Sequence, residues 1–172
     1  MPHGRPALDG IRILDFTRAQ QGPFATMLLC DMGAEVIKVE PPGGEQGRAN
    51  GLGPDGFSSY FEGHNRGKRS ITLDLRVAEA IDIVRRLVPS CDVVVENFRP
   101  GVMEAMGLGY ESLRLLRPDI ILASASAWGR NGSGSWSAAG PPPASAAHSG
   151  LRSRGCPWPP RRSWAAWPPR AS

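Results

Sequence analysis

Between residues 8 and 125, short apolar runs alternate with segments of helical periodicity, and that alternation constrains the fold more than any other feature of the chain. Residues 11–16 (IRILDF), 35–40 (EVIKVE), 70–75 (SITLDL), 92–96 (DVVVE) and 120–123 read as strands. DVVVE is almost all apolar, as in a strand buried on both faces. Gly22-Pro23 opens a helix, with proline in the first turn where its missing N–H does no harm. Phe24, Met27 and Leu28 fall on one face of it, and Gly33 stops it. Val77, Ala80, Ile81, Val84, Leu87 and Val88 make an apolar stripe at helical spacing, ended by Pro89. Residues 101–117 read as two helical pieces, and residues 41–65 as a long Gly/Pro/polar stretch. Strands separated by helices of this length imply an α/β fold with a parallel sheet and right-handed crossovers.

The C-terminal segment differs in kind. Residues 137–172 carry five arginines and no acid, whereas residues 1–136 carry 15 basic and all 16 acidic side chains. The pI of 9.4 therefore comes from the tail and gives weak grounds for a nucleic-acid partner. The tail holds eight of the 17 prolines and three of the five tryptophans, and Leu151 is its only aliphatic residue beyond alanine. Such a segment cannot bury enough apolar surface to offset the entropy of ordering it. Its composition is what GC-rich codons yield out of frame. The expectation is a domain over residues 8–132 and an aberrant, disordered Pro/Arg-rich tail over 133–172. A frameshift near 132–140 is the favoured origin, and a genuine basic arm that could meet nucleic acid is the alternative.

Several chemistries find no motif. Cys30, Cys91 and Cys156 are far apart, so no CxxC metal or redox pair exists. An odd cysteine count and an N-terminus without an apolar export core point to a reducing, cytoplasmic setting. No apolar run reaches the roughly 18 residues a membrane span needs. Gly107-Leu-Gly109 lacks the third glycine of a dinucleotide fingerprint and follows a helix. Gly67-Lys68 mimics the end of a phosphate-binding loop, but Glu62 stands where that motif needs glycine. What remains is a set of basic residues beside strand ends. Arg66, Lys68 and Arg69 precede the third strand, Arg76 follows it, and Arg99 follows the fourth within Glu96-Asn97-Phe98-Arg99. Ligands of open α/β sheets bind outside the carboxyl ends of strands, where Arg76, Asn97, Phe98 and Arg99 lie. Arginines with an aromatic suit phosphates and a flat base. By spacing alone, a solvated basic face explains the cluster better.

The motifs shift that balance. Leu8-Asp-Gly-Ile-Arg-Ile-Leu-Asp-Phe-Thr17 resembles the opening of family III CoA-transferases. Gln21-Gly22-Pro23, Asp31-Met-Gly-Ala-Glu-Val-Ile-Lys-Val-Glu40, Asn65-Arg-Gly-Lys-Arg-Ser-Ile-Thr-Leu-Asp-Leu75 and Asp92-Val-Val-Val-Glu-Asn-Phe-Arg-Pro-Gly101 continue it. Gly107-Leu-Gly-Tyr110 and Pro118-Asp-Ile-Ile-Leu-Ala-Ser124 follow in order. The family includes formyl-CoA transferase, carnitine CoA-transferase and 2-methylacyl-CoA racemase. The resemblance covers about the first third of a full-length member.

It implies a Rossmann-like N-terminal domain that binds coenzyme A without a metal, in an interlocked homodimer acting on acyl-CoA. Gln20, Leu73, Arg76, Asn97, Phe98 and Met106 match positions that contact CoA in relatives, with Arg76 facing phosphate; Arg99, placed by its position after the fourth strand, completes the candidate CoA-binding set. Pro41 and Ala105 stand where relatives carry arginine, which counts against a close formyl-CoA transferase assignment. The implied reaction moves CoA between an acyl-CoA and a carboxylic acid through an aspartate that becomes acylated. That aspartate falls beyond the matched stretch, and no Asp or Glu follows Asp119. The expectation is therefore a chain without a catalytic residue of its own. Racemase chemistry, which needs a later His/Asp pair, and a non-catalytic CoA-binding remnant are the alternatives; His148 is the only later histidine.

Overall fold

A computed structural model describes residues 4–126, all within one compact unit. The expected boundary at 132/133, the tail and the frameshift lie outside the described residues. Five strands form one parallel sheet: β1 (Arg12–Asp15), β2 (Glu35–Glu40), β3 (Arg69–Thr72), β4 (Val93–Glu96) and β5 (Ile121–Ser124). Their order is β3-β2-β1-β4-β5, all pairs parallel. The chain steps outward from β1 through β2 to β3, then returns to the other side of β1. The order therefore reverses between β1 and β4, where such sheets open a crevice at their carboxyl ends.

The helices are α1 (Gln21–Asp31), α2 (Ser59–Asn65), α3 (Ala78–Leu87), α4 (Val102–Ala105) and α5 (Tyr110–Leu116). Strand alternation sorts the core into two faces. Ile13, Val36 and Val95 pack with Ala34 and Leu29 on one side. Leu14, Phe16, Val39 and Val94 pack with Val84, Met103, Leu108 and Leu113 on the other. The stripe on α3 is the core face expected from its spacing: Ala80, Val84 and Val88 are buried, while Val77 remains exposed at its start. Fully burying a valine such as Val84 stabilises by roughly 1.5–3 kcal/mol.

Two local expectations need correction. The apolar face expected on α1 splits: Met27 is buried, but Phe24 and Leu28 are exposed. The helix instead buries Gly22, Pro23, Thr26 and Met27, because Thr26 is drawn inward to hydrogen-bond Asp15. The stretch 41–65 is also not all loop. It holds a 3-10 turn at Gln46–Ala49 and helix α2, whose first turn is capped by Ser58 Oγ accepting from Phe61 N–H at 2.9 Å.

Glycine sets the geometry at both ends of α1. Gly33 has φ +103°, and a Cβ there would meet Pro6 Cβ at 2.2 Å. At Gly22 a Cβ would stand 2.5 Å from the Thr17 side chain, so only glycine lets the helix start against the end of β1. Among the described residues no helix is long and apolar enough to cross a membrane.

Candidate functional site at the carboxyl edge of the sheet

The carboxyl ends of β1 and β2 carry charge into the protein interior. Asp15 is fully buried at the end of β1. Its carboxylate accepts from Thr17 N–H at 2.8 Å, Thr17 Oγ1 at 2.5 Å, Thr26 Oγ1 at 2.7 Å and Lys68 Nζ at 3.0 Å. Lys68, 2% exposed at its side chain, also donates to Pro23 O and Asn65 Oδ1. Burial pushes the Lys68 ammonium below its ordinary pKa, and the Asp15 carboxylate opposes that push. Asp15 thus ties β1, α1 and the residue before β3 together.

A second buried pair stands beside it. Lys38 Nζ donates to Thr17 O at 2.8 Å and faces Glu45 Oε2 at 2.6 Å, both side chains almost fully buried. The contact to Oε2 is an ion pair without hydrogen-bond alignment. Glu45 Oε1 accepts from Ala19 N–H at 2.8 Å. From the segment after β4, Asn97 accepts from Arg18 N–H and donates to Arg18 O, each at 2.8 Å. The loop from Thr17 to Gln20 is therefore held by side chains from β1, β2, the segment after β2, and the segment after β4. Ala19 is the only described non-glycine residue with positive φ, at 66°. For alanine that conformation costs roughly 1–2 kcal/mol. A hydrogen bond to a charged group contributes about 1.5–3 kcal/mol, so the Glu45 contact alone is enough to offset the strain.

Glu40, at the end of β2, anchors the segment that carries Glu45. It accepts from Arg48 Nε and Nη2 at 2.7 Å each, from Ser70 Oγ at 2.6 Å and from Glu45 N–H at 2.9 Å. Burial pushes its carboxyl up, but Arg48, Ser70 and the Glu45 amide outweigh that and hold it at about 2. The Arg48 guanidinium also stacks on Phe61, 3.8 Å from the ring centre.

On the outer side of this edge lie two grooves that share Leu75 and Arg76. One, about 410 Å³, runs from Arg18 past Pro41 and Pro42 to Leu73 and Asp74. The other, about 380 Å³, continues along Ile81 and Arg85 to Ala105 and Met106. Three of the residues singled out from sequence therefore line these grooves: Leu73 the first, Met106 the second, and Arg76 both. Arg76 donates from Nε and Nη2 to the two oxygens of Asp74, at 2.8 Å each. That bidentate pair holds the Asp74 carboxyl at about 2 and leaves the other guanidinium N–H groups free for solvent or ligand. Phe98 carries the Arg18 guanidinium 5.1 Å from its ring centre and so adjoins the first groove. Arg99 lies apart from the grooves in a tight crevice with Glu96, Gly101 and Ser124. Gln20 is exposed at the start of α1. Asn97 is committed to the Arg18 backbone.

Sequence reasoning missed four participants. Lys38 and Glu45 were not singled out, Lys68 was grouped with exposed basic residues, and Arg18 was passed over. Lys68 departs from a solvated face because it folds back under Pro23, whereas Arg66 and Arg69 do stay exposed, paired with Asp31 and Glu35. A charged residue at the core-facing position of an apolar strand, Lys38 within EVIKVE, is the signal that could have revealed the network. Among the described residues no group of three or more His, Cys, Asp or Glu side chains could hold a metal ion.

Comparison with known proteins adds the family. The chain is 48% identical over 137 residues to the probable fatty acyl-CoA transferase Rv3272 of Mycobacterium tuberculosis, covering 77% of this chain and 35% of that protein. It is 45% identical over 140 residues to a succinate–glutarate CoA-transferase of Agrobacterium fabrum, again 77% of this chain and 35% of the relative. The crystal structure of a CAIB/BAIF family protein from Brucella suis superposes with a TM-score of 0.71 at 42% identity, over 77% of this chain and 36% of that one. The chain thus spans about a third of the length of these relatives. The sequence model of CoA-transferase family III matches residues 8–167, and this chain belongs to that family.

Proposed function

We propose that this chain supplies the CoA-binding part of an acyl-CoA:carboxylate CoA-transferase. The observation that carries the reading is the pair of adjoining grooves, lined by Leu73, Leu75, Ile81 and Met106 together with Arg18, Arg76 and Arg85. Coenzyme A combines an apolar pantetheine arm, a flat base and several phosphates, and this lining offers a counterpart to each. Arg76 and Arg18 are the proposed phosphate contacts. Phe98, Leu73 and Met106 are the proposed apolar contacts, and Gln20 and Arg99 the flanking polar ones. Among the described residues no carboxylate pairs with Arg18 or Arg99, so both guanidinium groups are open to an anion.

In this reading the acyl-accepting carboxylate is not among the residues after Asp119, where the sequence has no Asp or Glu. The chain binds and orients the carrier in a homodimer by the same proposal, and transfer itself needs a carboxylate from a different polypeptide, because a second copy of this chain lacks one in the same place. The proposed setting is the cytoplasm, where acyl-CoA is available. Titration calorimetry of the full 172-residue chain with CoA tests the reading. Saturable binding, weakened at least fivefold by Arg76→Ala, is expected. A folded chain, judged by circular dichroism, that gives no saturable heat at millimolar CoA would refute it.

A further inference from the structure

We propose that Glu45 is a positioning residue, locked by Lys38, that holds the β1–α1 loop in a strained shape ready for ligand. The inference rests on the reading of the carboxyl edge as the CoA site, and it concerns how that site is kept formed before ligand arrives. Three observations carry it. Ala19 adopts φ +66° with no glycine to make this easy, while its N–H is fixed at 2.8 Å by Glu45 Oε1. Glu45 is 3% exposed and Lys38 1%, so the restraint sits in the protein interior and does not exchange with solvent. Neighbouring backbone groups are fixed as well: Thr17 O by Lys38, and Arg18 N–H and O by Asn97.

The consequence lies at Arg18 and Gln20. Between them stands the left-handed residue, and reversing its φ would swing Arg18 away from Phe98 and Gln20 away from the start of α1. A ligand meeting a relaxed loop would have to order it, and affinity would fall by the fraction of time the loop spends in the right shape. Two buried charges are a costly way to hold one exposed alanine unless that shape has a use. Glu45 itself lines neither of the two grooves. Its role is exerted through the backbone of Ala19.

The test uses trypsin on the full chain, because Arg18 is exposed and the Arg18–Ala19 bond is a natural substrate only once the loop opens. Cleavage at that bond is followed by mass spectrometry, alongside CoA affinity by calorimetry and a thermal melt. Glu45→Ala should speed cleavage after Arg18 at least tenfold and weaken CoA at least fivefold. Adding Ala19→Gly, which adopts positive φ without strain, should recover part of the affinity; loss of a merely structural residue would not be rescued there. Ala19→Val leaves the buried pair intact but is hostile to positive φ, and should also speed cleavage. It decides the matter if Glu45→Ala fails to fold. Wild-type protection of the Arg18 bond in folded Glu45→Ala, or in Ala19→Val, overturns the proposal. The trypsin arm needs no ligand, so a wild-type chain that ignores CoA sinks the functional reading while the loop restraint is still decided separately.

Discussion

Replacing Glu40 by glutamine should remove a large, pH-dependent part of this domain's stability. The carboxylate receives four hydrogen bonds on two oxygens: two from Arg48 and one each from Ser70 and the Glu45 amide. Glutamine keeps one acceptor oxygen and turns the other into a donor facing donors. Folding holds the Glu40 carboxyl at about 2 against an ordinary 4.5. At about 1.36 kcal/mol per pH unit of displacement, the ionised form contributes roughly 3 kcal/mol. The sign follows from the direction. A folded-state pKa below the unfolded one means the contribution is complete above about pH 4.5 and disappears as pH falls towards 2. Urea unfolding of both proteins, followed by far-ultraviolet circular dichroism, should show a gap of roughly 3 kcal/mol at pH 7. Between pH 7 and pH 3 the gap should narrow by about 2 kcal/mol, because the wild type loses what the variant never had. A gap that is the same at both pH values would refute the argument that an ionised Glu40 organises this edge.

Three further outcomes are expected. Lys68→Met leaves Asp15 buried without its cation and should destabilise by about 3–5 kcal/mol in the same urea assay; a loss below about 1 kcal/mol would mean that water reaches Asp15. Asp74→Asn removes the charge that occupies Arg76 and should tighten CoA binding in calorimetry by a factor of about 2–5, on the scale of an exposed ion pair; weaker binding would show that Asp74 orients Arg76 for the ligand. Gly33→Ala must adopt φ +103° and place a methyl against Pro6, which should cost at least about 1–2 kcal/mol in thermal or urea unfolding; an unchanged midpoint would mean that the segment before β1 shifts freely.

Much of the sheet was legible in the residues because a parallel strand buried on both faces leaves a compositional mark. EVIKVE became β2 over the same residues, and DVVVE shortened only to Val93–Glu96. Helix α3 was legible for the related reason that a one-sided helix repeats its apolar residues at helical spacing. Helix α2 was not: seven residues inside a Gly-rich stretch are too few for a periodic stripe, and the Ser58 cap with Glu62 in the first turn was its only trace. The site was half legible. Arg76 announced itself by type and by position after a strand, Leu73 and Met106 only through the family motifs, and the grooves bring the three close together. Lys38, Glu45 and Lys68 did not, since a charged residue in a sequence reads as solvated until the fold shows which charge it meets.

That blind spot has a physical pattern. At the centre of a parallel sheet the strands must be apolar, yet the loops at their carboxyl ends must present backbone polar groups to a ligand. Asp15, Lys38 and Glu40 all lie in the last three residues of β1 or β2, and all three point to the α1 face. Each is one side-chain length below the loop it controls: Asp15 reaches Thr17, Lys38 reaches Thr17 and Glu45, and Glu40 reaches the Glu45 amide. A buried ion pair is a poor source of net stability compared with well-packed apolar residues. It is a good source of direction, because removing either partner leaves an uncompensated charge that no nearby rearrangement can satisfy. The strand ends therefore trade some stability for a loop with one shape. On the proposed reading of this edge as a CoA site, the charges buried beneath it should matter to binding as much as the arginines displayed upon it.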